Sequence, residues 1–286
     1  MVDSCMKDGF KIIDAHMHYT GIFLPKNRSI IDYMDDNGID SAIVNTLNTK
    51  ANLSDVLRQD PGNLQIKMQD PAFEIFKDFR LAGQPDHGPV LDLVKKHPER
   101  VIPFFWYNPS DPADPGHEKG ISIVSDALDH GFKGVKIQPA MTLCTIEQLF
   151  PVASLLVDKK LPLYIHPTAG LFASKKTEVV EITFLARKFP GLNIILGHAA
   201  YTMEFCIEAV MQLSAFPNVF AETSQSIPYG IITFVKIFGP KRVLFGTDAP
   251  SATPFDIEYR KVSLLDIPAK AKAMVLGGNV ERLLGL

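Results

Sequence analysis

Short runs of apolar, β-branched and aromatic residues recur along this chain. Between them lie longer stretches in which apolar residues return every third or fourth position. Eight such runs stand out: FKIIDAHMH (10–18), DSAIVNT (40–46), RVIPFFWYNP (100–109), GVKIQP (134–139), LPLYIHP (161–167), NIILGHA (193–199), NVFAETS (218–224) and RVLFGTDAP (242–250). Most lack the polar–apolar alternation of a half-exposed strand, which predicts strands covered on both faces. The intervening HEKGISIVSDALDHG (117–131) and KKTEVVEITFLARKFPG (175–191) carry helical spacing and stop at glycine. Strand and helix alternate as in a parallel sheet with crossover helices. Eight repeats in 286 residues predict an α/β fold of the (β/α)8 (TIM) barrel type, one domain over residues 1–286.

Two segments break the alternation. Residues 47–88 are too long for one barrel helix and mix Pro61, Gly62, Pro71, Gly83 and Pro85 with a helical core, FEIFKDF. They are expected to form an inserted lid or rim after the second strand. NPSDPADPGHEKG, after the third strand, has the composition of a loop. It leaves the carboxyl end of a strand, the end at which such barrels build their sites. The closing VLGGNVERLLGL reads as a helix that caps the barrel, and no internal repeat is present.

Composition narrows the function classes. A hydrophobic fraction of 46% with 21% charged residues suits a globular chain with a sizeable core. The net charge of -3, with no cluster of Lys or Arg, speaks against a nucleic-acid partner. Cys5, Cys144 and Cys206 are an odd set without metal-ribbon spacing, which argues against a disulfide scaffold and for the cytoplasm. Asp3, Lys7 and Asp8 fall where a signal peptide needs its apolar core, and no run of 18 apolar residues occurs, so no membrane role is expected. The expected partner is a small-molecule substrate.

The chemistry is positional. His16, His18, His166, His198 and Asp248 all fall at the carboxyl ends of predicted strands, where a barrel points its side chains into one pocket. His16 and His18 stand two apart, so one strand presents both imidazoles on the same face. Imidazoles and a carboxylate suit zinc, or manganese or another first-row ion, with a position left for water. Lys136 ends the fourth strand and is open to being a surface lysine or a partner for a substrate anion. Glu222 ends the seventh and is open to a substrate contact, a contact with a metal-binding histidine, or a purely structural bond. Trp106, Tyr107 and Asn108 end the third and either line the pocket or pack the barrel. The remaining histidines, His87, His97, His117 and His130, need no special role, and Cys144 has no recognisable base beside it.

IIDAHMH, the single histidines of YIHP and LGHA, and GTDAP follow one another in the order found in the amidohydrolase superfamily, which the chain resembles over nearly its whole length. GFKGVKIQP, ILGHA, LFGTDAP and GGNVERLLGL resemble more narrowly the amidohydrolase-related branch that includes aminocarboxymuconate-semialdehyde decarboxylase. The resemblance implies that His16, His18, His166 and Asp248 ligate a metal. It leaves His198 either to orient the metal-bound water or to hold a second ion, one ion being favoured, and in the two-ion case it gives Lys136 a third reading, a carboxylated bridge between the ions. It also implies a homodimer.

Water bound to such an ion ionises near pH ~7. Asp248 then serves as general acid and base, with His198 beside it. The leading expectation is a hydrolase that cleaves an amide, ester, lactone or cyclic C–N bond. The alternative is a non-oxidative decarboxylase of an unsaturated or aromatic carboxylic acid, for which Arg28, Arg58 and Arg80 are the candidate carboxylate clamps. A third reading is a metal-binding barrel without catalysis.

Overall fold

A computed structural model of the chain describes residues 7–46, 83–111, 113–142, 144–167 and 178–286. All eight predicted strands are present in those residues as parallel segments. They are β1 (Ile13–His18), β2 (Ser41–Asn45), β3 (Val101–Pro103), β4 (Phe105–Trp106), β5 (Val135–Ile137), β6 (Leu163–Ile165), β7 (Ile194–Leu196), β8 (Val219–Glu222) and β9 (Val243–Leu244). The predicted third strand is divided at Phe104 into β3, which pairs with β2, and β4, which pairs with β5. The order is therefore β1-β2-β3, then β4 through β9 in sequence.

The ring closes just past the ends of the formal strands. Ala15 N donates to Phe245 O at 2.8 Å, Asp248 N to His16 O at 2.7 Å and His18 N to Ala249 O at 2.9 Å, so the chain after β9 pairs with β1. Asp14 reinforces this seam. The β1–β2 register slips between Asp14 and Met17, and the buried Asp14 carboxylate accepts from His16 N, Thr247 N and Thr247 Oγ1.

Burial follows the two-faced strand pattern. Alternate residues such as Ile12, Met17, Val44, Val135, Ile137, Ile165, Leu196 and Val243 face outward onto the helices and form the larger core. Their neighbours Ile13, Ala15, Ile43, Ile102, Phe104, Tyr164, Ile195, Phe220 and Leu244 fill the barrel interior. The predicted final helix is Asn279–Leu284, after a π turn at Met274–Gly278, and Val280, Leu283 and Leu284 close the interior. The helices expected in 117–131 and 175–191 are Glu118–Asp129 and Glu178–Lys188. No helix among the described residues is long and apolar enough to cross a membrane.

Of the expected lid, 47–82 lies outside the described residues, and with it FEIFKDF, Arg58 and Arg80. The last part, 83–88, lies along the carboxyl end of β4. Gln84 exchanges two hydrogen bonds with the Asn108 backbone, at 2.8 and 3.0 Å. His87 Nε2 accepts from Trp106 N at 2.9 Å while its ring stacks on Phe105, 4.1 Å between centroids. The sequence reading left His87 without a role, and the structure gives it this brace. A neutral ring is required, since Nε2 accepts, and burial pushes its pKa from 6.5 down to about 4.

The unfolded chain takes up that proton below pH 6.5 while the folded chain resists until about pH 4. The stability His87 contributes is complete above pH 6.5 and is lost as pH falls toward 4. His87→Gln keeps an acceptor for Trp106 N and removes the titration. Denaturant titrations should show the wild type losing up to about 3 kcal/mol more than the variant between pH 6.5 and 4. Parallel stability curves would contradict this role.

Candidate metal centre

Alternation past the strand ends brings the predicted residues together. Tyr164 points inward on β6, so His166 does as well, and the same step relates Glu222 to Ser224 and Leu244 to Gly246 and Asp248. His198 and Asp248 sit at turns with φ of +48° and +59°, and Gln225 beside them has +52°. Non-glycine residues rarely adopt this left-handed conformation, and it turns these side chains back over the barrel mouth.

The donors form two overlapping groups. His16, His18 and Asp248 offer ligand atoms within 4.8 Å of one another, as do His16, His166 and His198. His18 Nε2 lies 3.1 Å from Asp248 Oδ1, and His16 Nε2 lies 3.7 Å from the same oxygen. His198 Nε2 lies 3.1 Å from His166 Nδ1 and 3.9 Å from Asp248 Oδ2. Ligands at about 2.1 Å from one ion stand roughly 3.0–3.4 Å apart, so the donor set fits a divalent cation after small adjustments. Lys136 supplies a second sign of fit. Its Nζ lies 2.8 Å from His16 Nε2, so a cationic group already rests against that lone pair.

The electrostatics keep the imidazoles neutral. Burial, then Lys136, pushes His16 well below its usual range. Burial and Lys136 also lower His18, and burial and His198 lower His166. For Asp248 burial opposes the charge, but the surrounding His16 and His18 outweigh it and hold the carboxyl well below the usual carboxylate range. Gln225 Nε2 donates to Asp248 Oδ2. Burial brings Lys136 down to about 8 against the opposing pull of Asp248 and Glu222.

The other predicted residues sort by position. Lys136 is 1% exposed, inside the barrel and not on the surface, 5.1 Å from the Trp106 ring and 5.6 Å from that of Tyr164. Trp106 is buried with its Nε1 unpartnered. Tyr107 belongs to the outer core, under the helices. Asn108 holds Gly83 O at 3.1 Å and accepts from Ser110 N, so these bonds tie its amide to the chain around it. Arg28 is paired with Asp36 at the surface, away from the donors. Burial pushes the Cys144 thiol up to about 11, so it stays protonated.

Glu222 is fully buried and accepts from Tyr164 Oη at 2.8 Å, Ser224 Oγ at 2.7 Å, His198 N at 3.1 Å and Ser224 N. Sequence reading missed Asp14, Tyr164, Ser224 and Gln225. Asp14 and Ser224 were visible as polar residues inside the motifs IIDAHMH and FAETS, while Tyr164 looked like one more apolar strand residue.

The chain belongs to the amidohydrolase family, whose model matches residues 13–286. No curated protein sequence matches it. Among solved structures, it is similar to an uncharacterised TIM-barrel protein from Bordetella bronchiseptica, with TM-score 0.67, 18% identity and coverage of 96% of this chain and 98% of the other. A 5-carboxyvanillate decarboxylase from Novosphingobium aromaticivorans, in complex with manganese and 4-hydroxy-3-methoxy-5-nitrobenzoic acid, aligns over 100% of both chains at TM-score 0.64 and 19% identity. A 2,6-dihydroxybenzoate decarboxylase from Rhizobium aligns over 96% and 99%, at TM-score 0.63 and 16% identity. These likenesses agree with the closed (β/α)8 barrel, and the family makes the chain an enzyme of the amidohydrolase type.

Two glycines make room for the buried network. A Cβ at Gly246 would stand 2.1 Å from Glu222 Oε1, and one at Gly197 would stand 2.3 Å from Tyr164 Oη. Gly246→Ala should therefore displace Glu222 and cost about 1–3 kcal/mol in denaturant unfolding. Gly116→Ala, at an exposed site with open space, should stay within about 0.5 kcal/mol of wild type. Equal costs at the two positions would contradict the packing of Glu222 described above.

Proposed function

We propose that the chain is a divalent-metal-dependent decarboxylase that removes carbon dioxide, without oxidation, from a small aromatic or unsaturated carboxylic acid. The observation that carries this reading is Lys136: a buried cation flanked by the Trp106 and Tyr164 rings, with no carboxylate in ion-pair distance among the described residues. A buried charge without a counter-ion is costly. A substrate carboxylate supplies that counter-ion and flat ring walls suit an unsaturated or aromatic body, whereas an amide or lactone would leave the ammonium unpaired. The names of the decarboxylases similar in fold support the same choice over hydrolysis.

His16, His18, His166 and Asp248 are the residues that would hold a single ion, with His198 beside them. Zinc suits the mixed nitrogen and oxygen donors, and manganese, present in the 5-carboxyvanillate decarboxylase complex, stands beside it. When bound, the ion supplies a fixed positive charge that orients and polarises the substrate's oxygens. The chain's own residues do the rest. Lys136 pairs with the carboxylate, and Trp106 and Tyr164 hold the ring and exclude water. The bond from ring or vinyl carbon to the carboxylate carbon breaks, and its electron pair stays on the ring or vinyl carbon. Asp248, aimed by Gln225, delivers there a proton it has taken from solvent or a substrate hydroxyl. Carbon dioxide leaves, and one proton is consumed per turnover.

Hydrolysis is the second reading. It uses the same donors and is favoured by one observation, that Asp248 is held as a carboxylate, the form that accepts a proton from water. Carbon dioxide release distinguishes the two. Manganese- or zinc-loaded protein should release it from a panel of hydroxybenzoates that includes 2,6-dihydroxybenzoate and 5-carboxyvanillate. Asp248→Asn should lower the rate by about 100- to 10,000-fold. Lys136→Met should raise KM for the acid. Turnover of lactones or amides by loaded protein that is inert toward every carboxylic acid would put hydrolysis in its place.

A further inference from the structure

The two histidines nearest the Glu222 carboxylate each reach it through one hydroxyl. Tyr164 Oη donates to Glu222 Oε2 at 2.8 Å, so its proton is committed, and it lies 2.8 Å from His16 Nδ1. It can therefore only accept from that nitrogen. Ser224 Oγ likewise donates to Glu222 Oε2 at 2.7 Å and lies 2.9 Å from His198 Nδ1. The Ser224 carbonyl, an acceptor by nature, lies 3.2 Å from the same nitrogen. In both rings the proton belongs on Nδ1, and the lone pair on Nε2 faces the other donors. His18 differs, since both its nitrogens face oxygens: Nδ1 lies 3.3 Å from the Thr46 carbonyl and Nε2 3.1 Å from Asp248 Oδ1.

We infer that Glu222 is a positioning residue which, through the Tyr164 and Ser224 hydroxyls, fixes the Nδ1–H tautomer of His16 and His198 and so readies both Nε2 atoms for a cation. This inference rests on the reading of the donor cluster as a metal centre. It does not depend on which bond the enzyme breaks. A carboxylate that accepts directly from a ligand histidine is a common device for setting its tautomer and raising its basicity. Here one carboxylate serves two rings, each across an inserted hydroxyl. The inserted hydroxyls let it do so from β8 without standing among the donors, where its charge would compete for the ion.

The His16 branch is the decisive one. His198 keeps the Ser224 carbonyl when the serine hydroxyl is removed, whereas His16 Nδ1 keeps only a Ser224 Oγ at 3.4 Å when Tyr164 is removed. Tyr164→Phe is nearly isosteric, so the fold should persist. Nitrogen-15 NMR of histidine-labelled, metal-free protein reads the tautomers directly. In wild type His16 should be protonated on Nδ1, and in Tyr164→Phe its Nε2–H form should grow while His18 stays unchanged. Manganese affinity, measured by chelator competition, should fall about 10-fold or more. Glu222→Gln should cost His16 less in the Tyr164→Phe background than in wild type, because the main chain of bonds is already broken and only the longer Ser224 Oγ contact at 3.4 Å remains. An unchanged His16 tautomer in Tyr164→Phe overturns the inference. If wild type takes up neither manganese nor zinc, the metal-centre reading fails, and the tautomer result still decides the relay on its own.

Discussion

The hydrogen bonds that close the barrel are made by the backbone of residues in the candidate donor cluster. His16 offers its carbonyl to Asp248 N, and His18 N finds Ala249 O. A closed sheet requires its last strand to meet its first. Because the ladder spacing is fixed, that meeting also sets how far His18 Nε2 stands from the Asp248 carboxylate, 3.1 Å. Fold closure and the first three donors are thus a single constraint. Asp14 makes it firm by filling the register slip in β1 with three accepted bonds and tying Thr247 to that strand. Loss of this seam would open the barrel and scatter the donors in the same event.

Within the ring the second constraint is charge. An apolar interior that held Glu222, Asp248 and Lys136 without compensation would be unstable. Glu222 is supplied with four donors, and Asp248 is ringed by imidazoles and the Gln225 amide. The same burial that makes charge costly keeps His16, His18 and His166 neutral. Neutral rings have lone pairs to give, so the environment that resists protonation favours a metal cation. The left-handed backbone at His198, Gln225 and Asp248 is strain borne at the same place, where the framework of strands over-determines the turns.

Much of this was legible in the chain. Apolar runs located all eight strands, because doubly covered strands leave an unmistakable pattern. Strand-end placement located His16, His18, His166, His198 and Asp248, because a barrel sends all its strand ends to one mouth. The residues around them were harder to read. Tyr164 and Glu222 are 58 positions apart, and His16 and Tyr164 are 148 apart. Their contacts come from lateral register across neighbouring strands, which periodicity within one strand does not encode. A tyrosine in a hydrophobic run looks the same whether its hydroxyl is satisfied by solvent or by a buried carboxylate. Lys136 was open among three readings for the same reason. Its place inside the barrel follows from pairing with Trp106 on one side and Tyr164 on the other.

On the proposed function, that pairing is also where the choice of reaction resides. The donors are indifferent: three imidazoles and a carboxylate serve a hydrolase as well as a decarboxylase, and a carboxylate placed like Asp248 can move a proton in either. What differs is the wall. The row formed by Trp106, Lys136 and Tyr164 places an ammonium between two aromatic rings, at one level of three adjacent strands. A hydrolase of neutral substrates gains nothing from a buried cation there and bears its desolvation. A decarboxylase needs its substrate's charge held until the bond breaks, and needs the region around the departing carbon dioxide to be apolar. A cation backed by ring faces meets both demands, because it attracts the carboxylate while charged and presents little polar surface to the neutral product. On the proposed function, the reaction is thus specified less by the candidate metal donors than by the row of side chains beside them.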